Sequence, residues 1–106
     1  MKKKPRLVFS DAAVADILEQ ADWYRTQSGR SLALRWERAV TSAIKDVVRH
    51  PAAGSPCTFR SLELRGVRRA LITKFPKHLL FYRFTEEEVF VLRVVHGARD
   101  LENLFS

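Results

Sequence analysis

The fold is decided by residues 67–100, VRRALITKFPKHLLFYRFTEEEVFVLRVVHGARD, which contain three runs rich in β-branched and aromatic residues. Pro76 lies between the first two runs, and its fixed φ and missing N–H suit a turn. The charged tetrapeptide 85–88 separates the second run from the third and is short enough for a hairpin loop. The stretch therefore predicts three antiparallel strands in meander order.

Both faces of this predicted sheet are apolar. In the second run, Leu80 and Tyr82 point to one side, whereas Leu79 and Phe81 point to the other. An antiparallel sheet with one solvated face would alternate apolar and polar residues instead. We expect both faces to be covered, one by the helices of the chain and the other by its own termini or by another chain.

The segment before the meander predicts a strand followed by a helix. Residues 6–9 are short and β-prone, which suits an edge strand docked against the meander. Ser10 and Asp11 are typical of a helix start, and Gly29 is expected to end the helix. Its apolar stripe recurs at helical spacing and comprises Val14, Ile17, Leu18, Ala21 and Tyr24.

A second helix should follow at once, capped by Ser31 and stopped by Pro51. Two helices joined by two or three residues must lie antiparallel, and such a hairpin covers one sheet face and leaves little for the other. Residues 51–56 are expected to form a structureless connector and residues 60–64 a short strand. The 106 residues thus predict a single α+β domain, residues 1–106, with the order β-α-α-β-β-β. The apolar stripe of the second helix comprises Trp36, Val40, Ala43, Ile44 and Val47.

The chain is basic, since 19 Lys and Arg residues against 12 Asp and Glu residues give a net charge of +7. Most of the excess falls in residues 60–83, where Glu63 is the single carboxylate. Such a surface suits phosphates or an acidic partner, although solvated charges also protect strand edges from aggregation. The cations of this stretch are Arg60, Arg65, Arg68, Arg69, Lys74, Lys77 and Arg83.

Several function classes are excluded by composition. Cys57 is the single cysteine, so an intrachain disulfide and a thiolate metal cluster are both impossible, and a reducing cytoplasm fits best. No apolar stretch approaches membrane-spanning length. A Gly-rich phosphate loop, a nucleophile elbow and a carboxylate pair at catalytic spacing are all missing. We therefore predict no catalytic residue, no cofactor and no metal site.

Two further features have alternative interpretations. His96, Arg99 and Asp100 end the last strand, where they could support acid–base chemistry on a phosphodiester or form a structural ion pair and backbone bonds. Trp23 lies off the apolar stripe of the first helix. It could be an exposed anchor for a partner or a helix–helix contact, and we favour the contact.

The order strand, helical hairpin and meander, together with Asp22-Trp23-Tyr24, HLLFYR at 78–83 and LRVVHGARD at 92–100, resembles the ParE branch of the RelE/ParE toxin superfamily. The resemblance spans nearly the whole chain. It implies a toxin of a type II toxin–antitoxin system that acts on DNA gyrase and has no sequence-specific DNA binding of its own. It also implies a hetero-oligomer with a cognate, ParD-like antitoxin whose acidic C-terminal segment wraps the toxin.

The ribonuclease branch of the same superfamily is the alternative, with ribosome-dependent cleavage of mRNA by Arg99 and His96. Relatives of that branch carry basic residues on the central strands, and a Tyr or His near the C-terminus for proton transfer. This chain has Ala70, Ile72 and Leu79 at the matching places and no Tyr or His in its tail. Loss of the proton acceptor costs in-line cleavage a factor of about a hundred or more. A third hypothesis is an interaction module that binds its antitoxin but has lost toxicity.

These considerations predict two sets of contact residues. If the helices cover one sheet face, the other face is left for an amphipathic antitoxin segment, and the basic stretch meets its acidic tail. The predicted antitoxin contacts are Trp23, Arg68, Arg69, Lys74, Leu79, Phe81 and Arg83. The predicted target contacts, to which the resemblance points through the C-terminal strand and tail, are Arg93, His96, Arg99 and Asp100.

Overall fold

The computed structural model describes residues 4–97, in which two helices cover one face of a mixed five-stranded sheet. The sheet has the order β1-β5-β4-β3-β2, with β3, β4 and β5 forming the predicted antiparallel meander. The α+β class and the element order are confirmed, and a short strand, β2, is added at the far edge. The elements are β1 (Arg6–Phe9), α1 (Asp11–Ser28), α2 (Arg30–Arg49), β2 (Ser55–Pro56), β3 (Arg68–Leu71), β4 (His78–Phe84) and β5 (Glu88–His96).

β1 is the predicted edge strand, and it pairs with β5 in parallel. Its register runs from Arg6 opposite Glu88 to Phe9 opposite Val91. The N–H of Arg6 donates to the carbonyl of Glu87 at 2.8 Å, so the pairing begins at the loop before β5. A parallel neighbour requires a long crossover, which α1, α2 and the meander together provide.

The helical hairpin turns on one residue. Ser10 caps α1, as predicted, since its Oγ accepts from the N–H of Ala13 at 2.9 Å. Gly29 ends α1, as predicted, with φ at 91°, a conformation that suits glycine. Gly29 also precedes the first residue of α2, so the predicted cap at Ser31 is wrong. The indole N–H of Trp36 donates to the carbonyl of Ile17 at 3.1 Å and joins the two helices.

The buried face of α1 differs from the predicted stripe. Ala13 and Ala21 are buried, whereas the side chains of Val14 and Leu18 are 43% and 56% exposed. Ala13 was not assigned to the stripe, although Ala21 was. Ile17 and Tyr24 of the predicted stripe are partly buried and pack against the core.

The second sheet face is covered largely by the chain itself. We name residues 57–67 the covering loop, because its Leu64 and Val67 form a buried cluster with Phe81 and Val95 of the sheet. Residues 60–64 were expected to form a strand, but the loop instead has a 3₁₀ turn, Leu62–Leu64, and residues 51–56 contain another, Pro51–Ala53, together with β2. The prediction that this face is left for another chain is therefore wrong at its centre.

Candidate functional site

A groove of about 530 Å³ opens between α1 and the C-terminal end of β5. It brings together Trp23, predicted to contact an antitoxin, and His96, predicted to contact a target. The Trp23 side chain is 57% exposed, so the helix–helix contact that the sequence favoured is wrong. Its role as an anchor for a partner stays a prediction. The remaining lining includes Asp16, Glu19, Gln20, Tyr24, Lys77 and His78.

Aromatic rings form the floor of this groove. The ring of His78 lies 4.7 Å from that of Trp36 and 6.5 Å from that of Tyr24, measured between centroids. It also lies 5.7 Å from the ring of its cross-strand neighbour His96. Burial, reinforced by the charge of His96, lowers the pKa of His78 below its ordinary value. His78 is therefore neutral at pH 7, while His96 lies at the surface of the groove.

Arg93, predicted to contact a target, is engaged inside the protein. Its Nε and Nη2 donate to the two carboxylate oxygens of Asp16, both at 2.8 Å. The same carboxylate accepts from the N–H of Val94 at 3.0 Å. The hydrogen bond to Asp16 raises the pKa of Arg93, which is charged in any case. The ion pair between Arg93 and Asp16 joins α1 to β5. In this structure Arg93 therefore holds one wall of the groove in position.

Two cations of the basic stretch bind backbone carbonyls. Arg68 donates to the carbonyl of Gly54 at 2.6 Å, and its guanidinium lies over the ring of Phe84. Arg83 donates to the carbonyl of Glu63 at 2.9 Å. These two residues of the predicted antitoxin set therefore hold the connector and the covering loop against the sheet.

The other predicted residues divide by exposure. Arg69 and Lys74 are exposed and Leu79 is half-buried, as contacts with a partner would require. Phe81 is completely buried, with its ring 6.4 Å from that of Phe59 in the covering loop. A partner could therefore reach Phe81 only by displacing that loop. The predicted contacts at residues 99 and 100 lie outside the described residues.

Tyr82 holds the connector in place, a function that the sequence did not indicate. The side chain is completely buried, and its hydroxyl donates to the carbonyl of Pro51 at 2.6 Å and accepts from the N–H of Gly54 at 3.1 Å. Burial raises the pKa of Tyr82. A Cβ at Gly54 would overlap this hydroxyl, so a glycine is needed there. The sequence signal was Gly54 between two prolines, but the distant partner strand was not visible from it.

Residues 4–97 contain no cluster of three or more His, Cys, Asp or Glu side chains that could hold a metal ion. Cys57 of the covering loop is a free thiol, whose pKa is raised by burial. Within the same range, no helix is long and apolar enough to cross a membrane.

Similarity to known proteins agrees with this architecture. Residues 7–101 match the family described as the ParE toxin of type II toxin–antitoxin system, parDE. No curated protein is similar enough to match.

Three solved structures illustrate the shared fold. A chain of the chromosomal ParDE toxin–antitoxin system from P. aeruginosa has a TM-score of 0.72 and 19% identity, over 88% of this chain and 96% of that chain. A chain of the E. coli DinJ–YafQ complex has a TM-score of 0.62 and 14% identity, over 91% and 96%. YoeB from Staphylococcus aureus has a TM-score of 0.56 and 16% identity, over 90% and 99%. Because the family match covers residues 7–101 of 106, the chain belongs to the ParE toxin family of type II toxin–antitoxin systems.

Proposed function

We propose that this ParE-family toxin acts in the cytoplasm by inhibiting DNA gyrase, and that a tightly bound, ParD-like antitoxin with an acidic segment neutralises it. The observation that carries the proposal is that three positions in or beside β3 and β4 lack the basic side chains of the ribonuclease branch. Ile72, at a place where the ribonuclease branch has a basic residue, is fully buried in the helix-side core. Ala70 and Leu79, at the other two such places, are half-buried and uncharged.

The groove supports contact with a target better than cleavage of RNA. In-line cleavage needs a proton acceptor at the 2′-hydroxyl and a cation at the non-bridging oxygens of the same phosphate. His96 could accept a proton, but the guanidinium nearest to it along β5, that of Arg93, is engaged by Asp16, so Lys77 is the remaining cation of the described lining. An exposed tryptophan beside a groove is the residue type that most often dominates a protein–protein interface. We therefore assign the gyrase contact to the groove, with Trp23 as its anchor.

A supercoiling assay tests the proposal. Relaxed plasmid, DNA gyrase and ATP are incubated with the purified chain at concentrations up to the micromolar range. We expect loss of supercoiling, and we expect Trp23→Ala to raise the half-inhibitory concentration by about tenfold or more, as for other interface anchors. Leu62→Ala is the matched control, because Leu62 is an exposed apolar residue of the covering loop, away from the groove lining.

The possible results separate the hypotheses. Gyrase that keeps full activity at micromolar excess of the folded chain would contradict the proposal. If the chain leaves gyrase active but still binds an antitoxin, it is an interaction module without toxicity. If gyrase is inhibited and Trp23→Ala behaves like Leu62→Ala, gyrase is the target but the groove is not its contact.

A further inference from the structure

Two histidines that are distant in the sequence lie side by side in the groove. His78 and His96 are cross-strand neighbours in β4 and β5, and both line the cavity between α1 and β5. The N–H of Gly97 donates to the carbonyl of Lys77 at 2.8 Å, which makes residues 77 and 97 a hydrogen-bonded pair. The next pair of an antiparallel ladder is non-hydrogen-bonded, and its side chains lie closer together. His78 and His96 form that pair, so their rings share one face of the sheet at short range.

The spacing of the two rings fits chelation of one metal ion. Their centroids are 5.7 Å apart and their planes are inclined by 70°, so the rings do not stack. With metal–nitrogen bonds of about 2.0–2.1 Å and tetrahedral angles, two imidazoles on one ion have centroids about 5 Å apart. A movement of about 0.5–1 Å by the exposed ring of His96 would therefore close the chelate.

The ring of His78 is placed to act as a ligand. The residue is 8% exposed, yet no hydrogen bond among residues 4–97 involves its ring. No buried side-chain nitrogen in that range lacks both a hydrogen-bond partner and contact with solvent, so the ring nitrogens of His78 reach the groove. The lowered pKa of His78 keeps its imidazole neutral at pH 7, which is the form that binds a metal ion.

The chemistry of the pair decides which ions fit. Imidazole nitrogens suit late first-row divalent ions such as Zn²⁺ and Cu²⁺, whereas Mg²⁺ and Ca²⁺ prefer oxygen ligands. Glu19 on the wall of the groove favours a cation and Lys77 opposes one, while the charge of Asp16 is offset by Arg93. Two protein ligands leave the remaining positions of the ion to water, so the ion would exchange more readily than in a closed structural site.

We propose that His78 and His96 together bind one Zn²⁺ ion, or another late first-row divalent ion, through one nitrogen of each ring. The ion joins the start of β4 to the end of β5 and places a positive charge in the groove that Trp23 also lines. The sequence predicted no metal site, because the register that pairs the two strand ends is not apparent from the spacing of histidines along the chain. Binding of the ion does not depend on which macromolecule the protein targets.

Isothermal titration with ZnCl₂ at pH 7.5 tests the site in the full chain, purified without a polyhistidine tag. We expect one ion per chain with a Kd of roughly 1–200 μM, since two ligands supply about half the binding free energy of a closed four-ligand site. His96→Gln removes one ligand at the surface of the groove and should raise the Kd about tenfold or more. His50→Gln is the matched control, because it makes the same change at the third histidine of the chain, which is exposed at the end of α2.

The imidazole resonances of the ¹⁵N-labelled chain give a second readout that needs no substitution at the buried ring. Zn²⁺ should shift the ring nitrogens of His78 and His96 together, because both bind the same ion. The ring nitrogens of His50 should stay in place.

Four results would overturn the proposed site. They are no binding at millimolar Zn²⁺, equal affinities of His96→Gln and His50→Gln, binding of Mg²⁺ as tight as that of Zn²⁺, and loss of binding in Cys57→Ser. The third result would assign the ion to carboxylates of the groove, and the fourth would assign it to the thiol of the covering loop.

Discussion

Removal of the Asp16 carboxylate should destabilise the protein far more than the loss of an ordinary surface charge. The carboxylate accepts three hydrogen bonds, two from Arg93 and one from the N–H of Val94. The side chains of Arg93 and Asp16 are 16% and 11% exposed, so water screens the pair only in part. Asp16→Ala leaves a guanidinium and an amide without their acceptor in this setting.

The expected magnitude follows from these contacts. Breaking a fully buried ion pair by removing one partner costs about 3–5 kcal/mol, and the residual exposure lowers this to about 2–4 kcal/mol. For a domain of this size, that corresponds to a fall in Tm of roughly 10–25 °C. Arg93→Ala should cost less than Asp16→Ala, because the carboxylate then keeps its bond to Val94.

Thermal and urea unfolding of both variants and of the double variant would measure the effect. The double-mutant cycle should give a coupling free energy of about 1–3 kcal/mol. Asp22→Ala is the control, since Asp22 forms an exposed pair with Arg25 and should cost under about 0.5 kcal/mol. If Asp16→Ala were no more harmful than Asp22→Ala, the assignment of the Arg93 pair to the fold would be refuted.

Two further predictions concern buried groups. Tyr82→Phe removes the hydroxyl that bonds to the carbonyl of Pro51 and the N–H of Gly54. The free energy of unfolding, measured by urea titration, should therefore fall by about 1–2 kcal/mol. An unchanged unfolding midpoint would contradict this. The pKa of His78 is lowered in the folded state, so the unfolded chain takes up the proton first as the pH falls. The free energy of unfolding should therefore be at its full value above about pH 6.5 and decrease as the pH falls toward 5.5. His78→Phe should flatten this dependence between pH 7.5 and 5.5, whereas replacement of the exposed His50 by Gln should leave it intact.

Local sequence signals were sufficient for the element order. Ser10 and Gly29 carry their own capping and turn chemistry, and Pro51 follows the end of α2 at Arg49. The meander was also visible, since its runs and separators are short. The side chains of β5 do not alternate strictly between the two sheet faces, because the pairing of β5 with β4 shifts register between Phe81 and Tyr82 of β4. Val89, Val91 and Val94 all join the helix-side core as a result.

Long-range contacts were beyond sequence patterns. The sequence predicted a strand at residues 60–64 of the covering loop, whereas the loop contains a 3₁₀ turn and its Leu64 and Val67 cover Phe81. Whether a cation binds inside the protein depends on which backbone carbonyls lie nearby. The sequence therefore could not show that Arg68 is hydrogen-bonded to a carbonyl whereas Arg69 is exposed. The sequence did not indicate a role for Asp16, because carboxylates are common on helices and its partner Arg93 lies 77 residues away.

The gyrase assignment is tested most directly by measuring two activities of one purified preparation in parallel. One sample contains DNA gyrase and relaxed plasmid, and the other contains ribosomes translating a defined mRNA that is mapped by primer extension. We expect supercoiling to stop while the mRNA stays intact. Specific cuts in the translated mRNA with fully active gyrase would contradict it.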